Sequence, residues 1–208
     1  MIDTTVGLSR NDQPYLHYVG DGLLSPENLK ALNANIPDRE VYTREIKRGP
    51  QHRKEYNMWR CEPARDGVRT EDADRLTEPW SELVNSALSE DFRDWLAAAV
   101  QIDLRPCPVT VGLYIFGDGD YTTIDTGKVA KAQSFGLYLN EHWSKEYGGA
   151  FQVFTRKDPE IAPAREIIPV GGRCITMAPA DSTWHRIQTV DTGGKLDRLL
   201  MMVEFWKA

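Results

Sequence analysis

The hydrophobic pattern of this chain changes period once, around Arg105-Pro106-Cys107-Pro108, and that change limits what it can fold into. Before it, apolar residues repeat as they do along helices. Ser25-Pro26-Glu27 reads as a helix start, with Ser25 as the cap and Pro26 at the first position, where its missing N–H costs nothing. Leu29, Leu32 and Ile36 then share a face, and Pro37 ends the helix. Thr77-Glu78-Pro79-Trp80 opens a second helix, striped by Trp80, Leu83, Val84, Ala87 and Leu88. Ser89-Glu90-Asp91 caps a third, with Phe92, Trp95, Leu96 and Val100 facing inward.

After the prolines the repeat drops to two. Segments 109–116, 134–140, 150–154, 166–170, 173–177, 186–190 and 198–206 read as strands between turns rich in Gly, Pro and Asp. A short strand over 15–19 precedes the first helix, and 39–62 reads as strand and loop. Helices followed by a run of strands predict an α+β fold, a double-stranded β-helix (jelly roll) backed by N-terminal helices. With no repeat and no linker, residues 1–208 are expected to form one domain, its helical part over 15–105 and its β core over 109–206.

Composition narrows the function. The formal net charge is −6 and no basic block offsets it, which argues against nucleic acid as a partner. No apolar run reaches membrane-spanning length, so no membrane partner is expected. Cys61, Cys107 and Cys174 are an odd number without CxxC spacing, which fits unpaired thiols in a reducing cytoplasm. His17, His52, His142 and His185 are the four histidines from which any imidazole chemistry must be drawn. Gly117-Asp118-Gly119-Asp120 lacks the spaced oxygens and closing glutamate of a calcium loop.

One constellation in the chain looks like chemistry. Asp125 and His185 lie 60 residues apart on or beside different strands, and Arg198 follows His185 by 13. A carboxylate and an imidazole from facing strands can converge on a divalent metal with open positions, and an arginine beside them can clamp a dicarboxylate by a bidentate ion pair. The plain alternatives are a turn aspartate at Asp125, a packed histidine at His185 and a solvated strand charge at Arg198.

The ordered motifs from Phe116 to Trp206 resemble a known family. Leu137-Tyr138-Leu139-Asn140-Glu141-His142-Trp143, Gly148-Gly149, Pro169 with Gly172-Arg173, Trp184-His185-Arg186, then Arg198 with Phe205-Trp206 are similar to the Fe(II)/2-oxoglutarate-dependent dioxygenases of the prolyl-4-hydroxylase-like group. The resemblance implies a jelly roll, the cofactors Fe(II) and 2-oxoglutarate, and oxidation of a C–H bond of a small substrate such as an amino acid. It casts His185 as the distal metal ligand, with Arg198 and Tyr138 on the co-substrate carboxylate. It puts no metal ligand at His142. Trp59, Arg60 and Trp143 are candidates for lining a substrate mouth, with aromatic packing between helix and sheet the favoured alternative for the two tryptophans. The partner is then a small molecule, with homodimer formation left open.

The family's proximal H-x-D motif has no match. In one register Thr123-Ile124-Asp125 takes its place. In the other, which aligns Gly119-Asp120-Tyr121 through Lys128 without a gap, Asp125-Thr126-Gly127 does. The second is favoured, and Asp125 is a metal candidate in both. A glycine at the carboxylate position resembles the 2-oxoglutarate-dependent halogenases, where the open coordination place takes an anion. Loss of iron chemistry, leaving a ligand-binding jelly roll, is the remaining alternative.

Overall fold

The computed structural model describes residues 1–49 and 51–208. The chain enters through two short strands, β1 (Ser9–Asn11) and β2 (His17–Gly20), and helix α1 (Pro26–Ala34). Strands β3 (Thr43–Lys47), β4 (Tyr56–Arg65) and β5 (Val68–Arg69) follow, then helices α2 (Glu78–Leu88) and α3 (Glu90–Val100). The helix starts obey their sequence signals: Ser25 Oγ accepts from Asn28 N at 3.2 Å and Ser89 Oγ from Phe92 N at 3.2 Å. Ile36 departs from expectation. Helix α1 ends two residues sooner, its Asn35 cap bonding back to Leu32 O, and Ile36 is 42% exposed.

The remaining strands are β6 (Val109–Phe116), β7 (Tyr121–Thr122), β8 (Lys131–Tyr138), β9 (Phe151–Val153), β10 (Arg165–Ile167), β11 (Cys174–Met177), β12 (His185–Ile187) and β13 (Arg198–Trp206). The large sheet runs β1-β2-β11-β8-β13-β6-β4-β3, with β5 and β7 paired to β4. A second sheet, β10-β9-β12, faces part of it. Every pairing is antiparallel, so the two sheets make the expected jelly roll, and strands from the N-terminal part widen the large one.

Strand alternation gives the large sheet two different faces. Leu199, Met201, Val203 and Phe205 of β13 point one way, with Phe135 and Leu137 of β8 and Val109, Val111, Leu113 and Ile115 of β6. They form the main core with Trp80, Leu83, Val84, Phe92 and Leu96 from the helices. The intervening residues (Arg198, Leu200, Met202, Glu204 and Trp206; Ser134, Gly136 and Tyr138; Thr110, Tyr114 and Phe116) point into a cleft between the sheets. Gly112 and Gly136 keep that face open. A Cβ on Gly112 would lie 2.7 Å from the Tyr114 ring, and one on Gly136 3.2 Å from Met202 Sδ. Cys61, Cys107 and Cys174 are buried and unpaired. No described helix is long and apolar enough to cross a membrane.

Candidate active site

The cleft has a volume of about 500 Å³. Arg198 and Tyr138 stand on its large-sheet wall, beside Phe116. Both are fully buried, at 0% and 1% exposure. Arg198 Nε donates to Gly149 O at 2.7 Å, which fixes the plane of the guanidinium. Its Cζ lies 5.0 Å from the Tyr138 ring centroid and 5.1 Å from that of Phe116. The group rests against ring faces, so the Tyr138 hydroxyl does not satisfy it. Among the described residues Arg198 Nη1 and Nη2 and Tyr138 Oη have no hydrogen-bond partner. Burial disfavours the charge on Arg198 and pushes the Tyr138 phenol up to about 12, with Arg198 pulling it the other way. A buried guanidinium with a free fork beside a free phenol has the donors to accept a carboxylate.

His185 lies on the opposite wall, at the start of β12. Its Nδ1 lies 2.7 Å from Thr183 O. A carbonyl can only accept, so Nδ1 carries the proton and Nε2 keeps its lone pair. The ring stacks on Phe151 at 4.9 Å between centroids. Burial lowers its pKa to about 4, and the imidazole is neutral at pH 7.

That shift has a measurable consequence. The folded value lies below the ordinary 6.5, so between the two the unfolded chain takes up a proton that the folded chain refuses. Stability is expected to be complete above pH 6.5 and to fall as pH drops toward 4. Urea unfolding at stepped pH should show a shallower fall in His185→Asn. It should not vanish, because burial also lowers His17. An unchanged slope would place the acid sensitivity elsewhere.

Asp125 and His185 are adjacent in the backbone: Asp125 N donates to His185 O and His185 N to Asp125 O, both at 2.9 Å. The Asp125 carboxylate, however, is engaged by cations of the chain. Its Oδ1 lies 2.8 Å from Arg53 Nε, an ion pair off the N–H direction, and its Oδ2 lies 3.9 Å from Lys54 Nζ. Oδ2 also accepts from Gly127 N at 3.2 Å, an aspartate-turn bond. Asp125 is therefore a turn residue and a counterion as well as a neighbour of His185. Gly127 lines the cleft, and a Cβ built on it would lie 3.7 Å from His185 Cε1. The side that would carry the carboxylate of an H-x-D motif thus faces the imidazole across an empty glycine.

The other expected residues lie elsewhere. Thr123 Oγ1 accepts from Glu55 N at 2.8 Å and borders a neighbouring cleft. Trp143 does not line the main cleft; its Nε1 donates to Gly148 O and its ring meets Tyr147 edge-on. Trp59 packs under Arg39 and Arg44, while Arg60 lines the cleft. His142 is on the surface, its side chain 88% exposed. Asp118 and Asp120 are structural: Asp118 accepts from Thr192 N and Gly193 N, and Asp120 pairs bidentately with Arg44. Lys54, Arg53 and Phe151 were not foreseen. Lys54 and Arg53 sit in a charged stretch with no periodic signal.

The profile of the 2OG-Fe(II) oxygenase superfamily matches residues 118–206, the stretch that carries Asp125, Gly127, Tyr138, His185 and Arg198. A mouse prolyl 3-hydroxylase, OGFOD1, is 24% identical over 126 residues, 59% of this chain and 23% of that protein. The chain therefore spans about a quarter of that relative. Among solved structures, a Pseudomonas putida prolyl-4-hydroxylase superposes with a TM-score of 0.56 at 15% identity, covering 98% of this chain and 94% of that one. HygX from Streptomyces hygroscopicus, with nickel and 2-oxoglutarate bound, superposes with a TM-score of 0.57 at 12% identity, covering 92% and 83%. At these identities the structures establish the shared jelly-roll fold.

The enzymes of this superfamily are oxidoreductases that use Fe(II) and 2-oxoglutarate. The two partners meet this chain differently. The acid fits, because Arg198 and Tyr138 are buried donors without a partner. The iron does not find a complete set. Among the described residues no three His, Cys, Asp or Glu side chains are grouped to hold a metal. His185 offers one nitrogen, Gly127 offers nothing, and Asp125 already balances Arg53 and Lys54.

Proposed function

We infer that this protein is a 2-oxoglutarate-dependent oxygenase of its superfamily, oxidising a C–H bond of a small substrate such as an amino acid. One observation carries the reading: a fully buried arginine whose two terminal nitrogens, like the neighbouring tyrosine hydroxyl, have no partner among the described residues. An uncompensated buried charge is costly, so it is kept where an anion is to be bound. The superfamily couples substrate oxidation to conversion of 2-oxoglutarate into succinate. Here Arg198 and Tyr138 hold the acid, and Phe116, Phe151, Ile187, Leu200 and Met202 keep water from it. The lining also carries Glu45, Arg60, Glu62, Lys128, Lys131 and Glu204. Both signs of charge around an apolar interior suit a zwitterion the size of a free amino acid.

A second reading, an anion-accepting site of the halogenase kind, is favoured by Gly127 facing His185. A third, a ligand-binding jelly roll without iron chemistry, is favoured by the ion pairs on Asp125. One assay separates them. The protein is incubated aerobically with Fe(II), 2-oxoglutarate, chloride and a panel of amino acids, and succinate and products are followed by mass spectrometry. Succinate with a hydroxylated product is expected. A chlorinated product selects the second reading, and no succinate with any substrate selects the third.

A further inference from the structure

We propose that this cleft binds a 2-oxo dicarboxylate without a divalent metal, Arg198 and Tyr138 taking one carboxylate and Lys54 the other. The inference rests on the 2-oxoglutarate reading above and goes beyond it by assigning to Lys54 the charge that a metal would otherwise supply.

The argument is one of charge and demand. Arg198 is buried, its fork is oriented by the bond to Gly149 O, and both outer nitrogens are free. Nothing in that receptor waits for a metal. At the other end of the acid's path, beside His185 and Gly127, a superfamily site would set an ion against a carboxylate. This chain sets Lys54 there. Its ammonium lies 3.9 Å from Asp125 Oδ2 and 5.6 Å from the Tyr56 ring centroid, and it borders the same cleft as Arg198. Arg53, on the far side of Asp125, takes the other carboxylate oxygen, leaving Lys54 a looser hold on it.

With Arg53 balancing Asp125, Lys54 and Arg198 supply two positive charges to the cleft, which matches a dianion; Lys128 also lines it, held over the Trp206 ring. Lys131 adds nothing, because Glu204 pairs with it. Low dielectric strengthens each of these attractions relative to water. A divalent ion would instead have to compete with two cations for Asp125 and would find no carboxylate at Gly127.

The test is calorimetric titration of the intact protein in chelator. The ligands are 2-oxoglutarate, glutarate (the same length without the keto group) and pyruvate (the keto group with one carboxylate). The proposal expects 2-oxoglutarate and glutarate to bind within about tenfold of each other and pyruvate at least about tenfold more weakly, a difference of about 1.4 kcal/mol per decade. Adding Mn(II) should improve 2-oxoglutarate binding by less than about tenfold. Lys54→Met should weaken both diacids by at least about tenfold and leave pyruvate unchanged, and Lys54→Arg should restore the diacids. A general loss of folding would lower all three ligands alike and would not respond to arginine.

Binding seen only after Mn(II) is added overturns the proposal and leaves the oxygenase reading standing. Pyruvate binding as tightly as the diacids also overturns it. Diacid binding in chelator supports it even if the iron assay yields no succinate, in which case the oxygenase reading alone falls.

Discussion

Arg198→Met should abolish 2-oxoglutarate binding and leave the ligand-free protein at least as stable as before. The two effects have one cause. Among the described residues Arg198 is a buried cation with one side-chain hydrogen bond, to Gly149 O, and two outer nitrogens without a partner. Methionine fills a similar volume between Phe116 and Tyr138 without a charge. Losing the one bond costs about 1 kcal/mol. Removing an uncompensated buried charge offsets this, since apolar replacement of buried ionic groups is often neutral or stabilising by about 1–4 kcal/mol. Binding changes in the other direction. Truncating one partner of a buried charged contact costs about 2–5 kcal/mol, roughly thirtyfold to several thousandfold in affinity. Urea unfolding and calorimetry on the same preparation check both halves. A destabilised variant that still binds the acid would show Arg198 to be a structural residue.

Gly127→Asp should raise the affinity for Mn(II) or Ni(II) by at least about tenfold, or about 1.4 kcal/mol. The new side chain would grow toward His185, its Cβ 3.7 Å from Cε1 and 3.5 Å from Pro179 Cβ, both ordinary contacts. The backbone sets the cost. Gly127 has φ +74°, where an L-residue loses about 1–2 kcal/mol, with aspartate among the types that tolerate it best. The variant should therefore fold, slightly weakened, and present a carboxylate beside His185 Nε2. Quenching of tryptophan fluorescence by added metal gives the affinity. If it matches the parent protein, Gly127 is not the metal-facing position and the Thr123 register regains its place.

Much of this was legible along the chain. The caps at Ser25 and Ser89 mark helix starts, because a side-chain oxygen followed by its own backbone N–H groups is a local event. The strands of 109–116 and 198–206 are equally plain, since each alternates between a face against the helices and a face on the cleft. Arg198 is legible for the same reason: it shares a face with Leu200 and Met202, so a charged residue there points inward.

What failed to show depended on contacts that residue pattern does not encode, some between residues distant in sequence and some local. Strand β12 begins at His185 itself, where it pairs with Val153 of β9, and the same backbone exchanges hydrogen bonds with Asp125, 60 residues earlier. Trp143 sits next to the Asn140 motif yet turns away from the cleft to meet Gly148 O.

The sequence by itself determined the jelly roll, the buried arginine and the absence of an H-x-D motif, because period, alternation and residue identity are properties of the chain read in order. Only the tertiary structure decided what stands in the missing motif's place. It set the bare face of Gly127 against His185, and it brought Arg53 and Lys54, from a stretch without pattern, onto the carboxylate of Asp125. Charge acts through space, so the balance of that site is fixed by which strands the fold lays side by side.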